Sequence, residues 1–252
     1  GSNALLTNQT GGTNTAVGRN SLKLCTVGDN TAVGYASADA ITTATANTAV
    51  GTYALSANQT GNNCTAVGYN ALLVNTAASN TAVGSGALDA VNVGGNNTAV
   101  GYDACGALVE GGHNVAVGLA AMRTGNGANN VCIGSATGYN LGASTANSTF
   151  VGREAGHNVS SGDGNTFVGF EAGKITTAGT NMVIIGHRAG FADITAAAGG
   201  TVAVGLSALG ALTSGIGNVA IGYQAMDANL TSDYNTAVGY QALSGVNSDG
   251  EA

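Results

Sequence analysis

Apolar and polar positions along this chain recur with a period near 17 residues. Each period opens on Asn-Thr-Ala-Val-Gly-x-x-Ala-Leu and runs into a variable polar loop; Asn235 to Leu243 is a clean copy. Aligned on the Val-Gly or Ile-Gly step, the glycines fall at Gly18, Gly34, Gly51, Gly68, Gly84, Gly101, Gly118, Gly134, Gly152, Gly169, Gly186, Gly205, Gly222 and Gly239. These are fourteen copies, spaced by 16 to 19 residues with a mean of 17. Val or Ile precedes the glycine in every copy, and Asn stands four before it in ten, the exceptions being Cys64, Ser148, Met182 and Thr201. The third residue after it is always small: Ser21, Ser37 and Thr137 in three copies and Ala in the rest. Ala4-Leu5 fits the remnant of a further copy.

Helix-pair repeats need more than about 30 residues, so this period is too short for them. The motif is β-branched and alternating. It predicts a short strand, a tight bend at the glycine, and a second short stretch through x-Ala-Leu. Stacked in parallel at about 4.8 Å per coil, the copies make an all-β parallel solenoid of about fourteen turns, roughly 65 Å long. Contacts then run between residue i and i+17, and each coil is held by its neighbours.

Within that frame, the ladder of Val17, Val33, Val50, Val67, Val83, Val100, Val117 and Val238 is expected to fill a thin interior, each contributing about 1.5–3 kcal/mol on burial. The glycine is either a bend at positive φ or a place where another backbone passes too close for a Cβ. Asn either stacks its amide on the coils above and below or simply favours the turn. Two before the glycine stand ten alanines with Cys132, Phe150, Phe167 and Ile184. That position faces opposite to Val and is never polar, so both strand faces are expected to be buried, the Ala stripe against an identical chain.

Composition narrows the class. With 42 glycines, no proline or tryptophan, 8% charged and 44% hydrophobic residues, the chain is neither an ordinary globule nor a polar linker. Absence of proline suits a backbone in which nearly every N–H donates to a ladder. A net charge of −7 provides no cationic surface for nucleic acid or anionic lipid. No signal or spanning segment is evident, so no membrane insertion by this segment is expected. Gly1-Ser2 reads as a cleavage scar, 3–243 as one repeat domain and 244–252 as a tail or the start of a further segment. None of the nineteen charged residues lies between the Asn and Gly positions of any copy.

Repeats such as Asn97-Thr-Ala-Val-Gly-Tyr-Asp-Ala and Asn165-Thr-Phe-Val-Gly-Phe-Glu-Ala-Gly173 resemble the YadA-like head repeats of trimeric autotransporter adhesins and similar runs in bacteriophage and bacterial fibre proteins. The resemblance covers residues 3 to 243. It implies a left-handed parallel β-roll, three of which associate side by side, and an extracellular, cell-surface or virion fibre that attaches to a host or prey cell-surface glycan or protein. The repeat here is longer than usual, and no neck, stalk or anchor is recognisable.

Candidate chemistry is sparse. Cys25, Cys64, Cys105 and Cys132 sit at four different phases without zinc-type or disulfide spacing and read as small buried residues. His113, His157 and His187 form no ladder, and no Asp recurs at fixed phase as calcium solenoids require, so no metal or cofactor is expected. Glu154 and Glu171 are 17 apart and stack on one face; with Arg153 and Arg188 beside them they read as a structural charge cluster rather than a glycosidase pair. Tyr35, Tyr69, Tyr102, Tyr223 and Tyr240 each follow the glycine, either covering the solenoid's side or stacking on sugars; packing is the preferred reading. Recognition is otherwise expected from the irregular loops at 138–147, 156–164 and 190–200. The pattern points to a non-enzymatic attachment module. An ice-binding solenoid using the nine Thr three before the glycine, and a polysaccharide-degrading tailspike, are the alternatives.

Overall fold

The computed structural model describes residues 1–195, 198–228 and 231–245; parts of the 190–200 loop and of the 244–252 tail lie outside the described residues. Each repeat forms one coil with a single three-residue strand. Two compact units divide the chain. Gly1–Thr124 carries β1 (Thr15–Val17), β2 (Thr31–Val33), β3 (Thr48–Val50), β4 (Thr65–Val67), β5 (Thr81–Val83), β6 (Thr98–Val100) and β7 (Val115–Val117). Gly125–Ala252 carries β8 (Val131–Ile133), β9 (Thr149–Val151), β10 (Thr166–Val168), β11 (Val183–Ile185), β12 (Val202–Val204), β13 (Val219–Ile221) and β14 (Thr236–Val238). Within each unit successive strands pair in parallel at equal phase, for example Ala49 with Ala66 and Phe150 with Phe167. The chain is a parallel β-solenoid, as the period predicts. Residues 1 to 7 already join the stack: Leu5 N–H donates to Ser21 O (3.1 Å) and Asn20 N–H to Ser2 O (2.9 Å).

The inside and outside of the strand are the reverse of the sequence expectation. Ala32, Ala49, Ala66, Ala82, Ala99 and Ala116 are completely buried, as are Cys132, Phe150, Phe167 and Ile184 at the same phase. Val33, Val50, Val83 and Val100 are 36–37% exposed, and Val17 and Val238 more so. The expected interior Val ladder, including Val67 and Val117, is therefore an outward column, and the Ala column is core. Alternation puts the two on opposite faces without saying which is inner. The deciding neighbour is the buried Asn two residues before Ala, which shares its face.

Asn closes the coil-to-coil contact. Asn97 Oδ1 accepts from Asn114 N–H at 3.0 Å, while its Nδ2 donates to Gly111 O at 2.9 Å. Asn80 and Asn165 repeat the arrangement on Gly94 and Gly179. The Asn column is thus a ladder, one that mostly joins side chain to backbone and so satisfies a buried N–H and a buried carbonyl of the next coil.

After the strand the backbone leaves β space. The second short stretch expected through x-Ala-Leu is a run of turns with left-handed residues two and four after the glycine, such as Asn70 and Leu72 (φ 56° and 53°). Turn bonds close it, for example Ala54 N–H to Gly51 O and Asn58 N–H to Leu55 O. Leucine in this region costs about 1–2 kcal/mol. Stacking holds it there, since Leu55 N–H donates up to Ala71 O while Tyr53 N–H donates down to Tyr35 O. At the motif glycine both sequence readings hold together. Gly51 has φ 136°, and a Cβ there would lie 2.7 Å from the carbonyl carbon of Gly68.

The narrow core is filled reciprocally. Where the strand contributes Ala, the residue four after the glycine is in most coils long: Leu22, Leu55, Leu72, Leu88, Met122, Leu209 or Met226. Where the strand contributes Cys132, Phe150, Phe167 or Ile184, that residue is Gly138, Gly156, Gly173 or Gly190. A Cβ on these glycines would meet Cys132 Sγ at 2.6 Å, Phe150 Cδ1 at 2.8 Å, Phe167 Cδ2 at 2.6 Å and Ile184 Cδ1 at 2.7 Å. One volume is supplied from either side of the coil, which keeps the interior at the density folded proteins require.

Candidate functional site

The strand face that points away from the core carries two columns. Val or Ile directly before the glycine forms one, and Thr or Val three before it forms the other, half-buried in most coils. In Gly1–Thr124 the second column reads Thr15, Thr31, Thr48, Thr65, Thr81 and Thr98 before Val115. Ile133, Ile185 and Ile221 are 37–40% exposed in the other unit. Each unit therefore presents a regular, uncharged, β-branched face.

The chain bends at the glycine, and the next residue begins a flank. All five predicted tyrosines stand there with substantial exposure: Tyr35, Tyr69, Tyr102, Tyr223 and Tyr240. They do not act as one set. Tyr35 meets Tyr53 edge-on at 5.4 Å, and Tyr223 stacks on Tyr240 at 5.2 Å. Tyr69 and Tyr102 instead line a cavity of about 250 Å³, together with Ser85, Asp89, Asp103 and Arg123. Arg123 forms an ion pair with Asp103. Burial, followed by the charge of Asp103, pushes the Asp89 carboxyl above its ordinary range.

On the flank of Gly125–Ala252 the same phases carry charge and rings. Lys174 Nζ bridges Glu154 (2.5 Å) and Glu171 (2.9 Å), Arg153 pairs with Glu154 at 2.8 Å, and Arg188 with Glu171 at 2.6 Å. The Lys174 hydrogen bond holds both carboxyls below the usual range, with Arg153 and Arg188 adding to it, and raises the Lys174 ammonium in return. A glycosidase pair needs one carboxyl kept protonated, and here both are held ionised. Around this cluster Phe170 stacks on His187, Tyr139 on His157, and Arg153 lies over Phe170.

The four cysteines are buried thiols, and their scattered phases have a simple cause: each occupies a different inward position of the coil. Cys105 is fully desolvated, which pushes its thiol up to about 12, and burial raises Cys64 as well. Such thiols are poor nucleophiles and poor ligands. His113, His157 and His187 lie in different coils, as their phases require. Among the described residues no group of three or more His, Cys, Asp or Glu is placed to hold a metal ion, and no helix is long and apolar enough to cross a membrane.

Two features escaped the reading of sequence although both left a trace in it. The reciprocal Phe/Gly and Ala/Leu pairing was visible as a correlation between positions six residues apart. The cavity was marked by Ser85-Gly86 interrupting large residues at equal phase in the coils on either side. Fold and surface define a repeat protein of the β-solenoid class with a closely packed interior and an uncharged, β-branched strand face. Comparison with protein-family models, curated proteins and solved structures returned no match.

Proposed function

We propose that this chain is a structural and adhesive fibre module that works outside the cell, on a cell surface or virion fibre, as a side-by-side homotrimer presenting loops and flanks to a host or prey surface. The exposed Val/Ile column carries the reading. A water-facing strand position in a solitary solenoid would be polar, and contiguous apolar stripes mark association surfaces. Covering a Val that is already about two-thirds buried adds roughly 0.5–1 kcal/mol, a fraction of its full burial energy. Repeated once per coil, the contributions accumulate to the same order as the cost of association, about 4–15 kcal/mol. An equal phase on every coil favours a partner with the same spacing, which a second copy has. The number three follows the resemblance to trimeric adhesin heads.

Sedimentation equilibrium tests it. The expected mass is three times that of the 24.2 kDa chain, and a V50D/V83D variant is expected to dissociate while keeping its β circular-dichroism spectrum. A stable 24.2 kDa species for the unaltered chain overturns the proposal.

One observation favours a second reading. Six successive Thr share the outward strand face with Val in Gly1–Thr124, one hydroxyl per coil in a regular row, as an ice-binding array would need. A monomer showing thermal hysteresis would select that function.

A further inference from the structure

The cavity on the flank of Gly1–Thr124 arises from a local omission. Around β4 and β6 the two residues after the motif glycine are Tyr69-Asn70 and Tyr102-Asp103, whereas around β5 they are Ser85-Gly86. Relative to its two neighbouring coils this one lacks a ring and a side chain, which leaves a notch walled by tyrosines two coils apart. Two coil spacings amount to about 9.6 Å. A puckered six-membered ring midway in that gap has its mean plane about 4.8 Å from each wall, with its axial C–H groups directed at them.

The floor is polar on both counts. The point a Cβ of Gly86 would occupy lies 3.8 Å from Asp103 Oδ1 and 3.9 Å from Asp89 Oδ2, so two carboxylates from successive coils converge there. Arg123, paired with Asp103, and the Ser85 hydroxyl add donors. Adjacent acceptors with donors beside them match vicinal hydroxyls, while tyrosine faces suit the C–H side of a sugar ring. Two carboxylates against one guanidinium leave the notch acidic, and the chain as a whole carries −7, so sialylated, sulfated or uronic sugars are repelled. A quaternary ammonium also fits between tyrosines and is drawn by the net negative charge, yet choline brings a single hydroxyl where the two carboxylates, the Arg123 guanidinium and the Ser85 hydroxyl offer partners for several.

We propose that this notch binds a neutral pyranose ring, the terminal sugar of an uncharged glycan, between Tyr69 and Tyr102. The proposal deepens the attachment reading and rests on it for its biological sense, by assigning one recognition site to the scaffold's flank. Saturation-transfer NMR on the intact chain tests it, with the methyl pyranosides of glucose, galactose and mannose, choline chloride and sialyllactose as probes. At least one neutral pyranoside is expected to bind with a Kd of about 10 mM or tighter. Ser85→Tyr, which fills the notch with a residue that five other coils carry at this phase, is expected to weaken binding about tenfold or more, a loss of roughly 1.4 kcal/mol. Tyr102→Ala, at an exposed position, should do the same, and Tyr35→Ala should leave affinity unchanged. Transfer to choline or sialyllactose alone, no transfer to any pyranoside, or unchanged affinity in Ser85→Tyr and Tyr102→Ala overturns the site. A trimer that binds no pyranoside overturns the notch and leaves the fibre standing; a monomer that binds one does the reverse.

Discussion

The two units solve one packing problem in opposite ways. Every coil of Gly1–Thr124 places Ala on its strand, and most fill the interior from the turn with Leu, Cys or Met. Four coils of Gly125–Ala252 reverse the assignment, with Cys132, Phe150, Phe167 and Ile184 on the strand and Gly in the turn. Since the strand register is the same in both, Phe150, Phe167 and Ile184 supply from the strand the bulk that Leu55, Leu72 and Leu88 supply from the turn, while the Ala32/Ala38 and Cys132/Gly138 coils are small at both positions. The reversal also relieves backbone strain, because glycine takes the left-handed conformation without the penalty that Leu72 or Leu88 bears. The flanks differ in parallel: paired ions and rings in one unit, an open tyrosine notch in the other.

The largest test of this contrast is Phe167→Ala, which should cost about 3–5 kcal/mol in denaturant unfolding because the coil cannot close on the void. Adding Gly173→Leu to it rebuilds the other unit's solution and should recover about 1–3 kcal/mol, a coupling read from a double-mutant cycle. If the second change deepens the loss, the reciprocity is not energetic. In Gly1–Thr124 Leu72→Ala is expected to cost about 2–5 kcal/mol, and recovery from Ala66→Phe is expected only with Leu72→Gly, because a Cβ at this turn position meets a strand Phe in the other unit. Asn97→Ala comes next. It leaves the buried Asn114 N–H without its acceptor and should cost about 1–3 kcal/mol, reported also by faster amide exchange at Asn114.

The smallest effect is electrostatic and has opposite signs in the two units. Glu154 and Glu171 have lowered folded pKa values, so their contribution is present above the ordinary carboxylate range and lost as pH falls through the folded values. Asp89 is raised, so its ionisation disfavours the fold and acidification relieves that cost. Lys174→Met should therefore flatten the acid limb of thermal stability, an effect of about 1 kcal/mol or less. Asp89→Asn should raise stability slightly at neutral pH and remove the opposing trend. An unchanged acid limb in Lys174→Met would show that the ion network adds nothing to folding.

Much of this was readable from the chain. Fourteen glycines at a mean spacing of 17 residues require stacked coils, and the small residue three after each glycine is buried from Ser21 to Ala225. The face assignment was not readable from alternation, because Val33 and Ala32 are both apolar and size suggested the larger one for the core. A solenoid coil reverses that intuition: its interior is narrow, and the turn delivers the bulk from the position four after the glycine, as Leu55 and Leu88 do. The notch required knowing which residues of successive coils become neighbours; Ser85 lies sixteen residues from Tyr69 and seventeen from Tyr102.

Sequence alone determined the period, the parallel stack, the buried thiols and the obligatory bend, because each follows from a constraint that every coil must satisfy. Tertiary structure decided which strand face is buried, how Asn joins coil to coil, and where a missing ring opens a cavity. Those depend on the side chains that adjacent coils bring to the same height, and the order of residues along one coil does not contain that information.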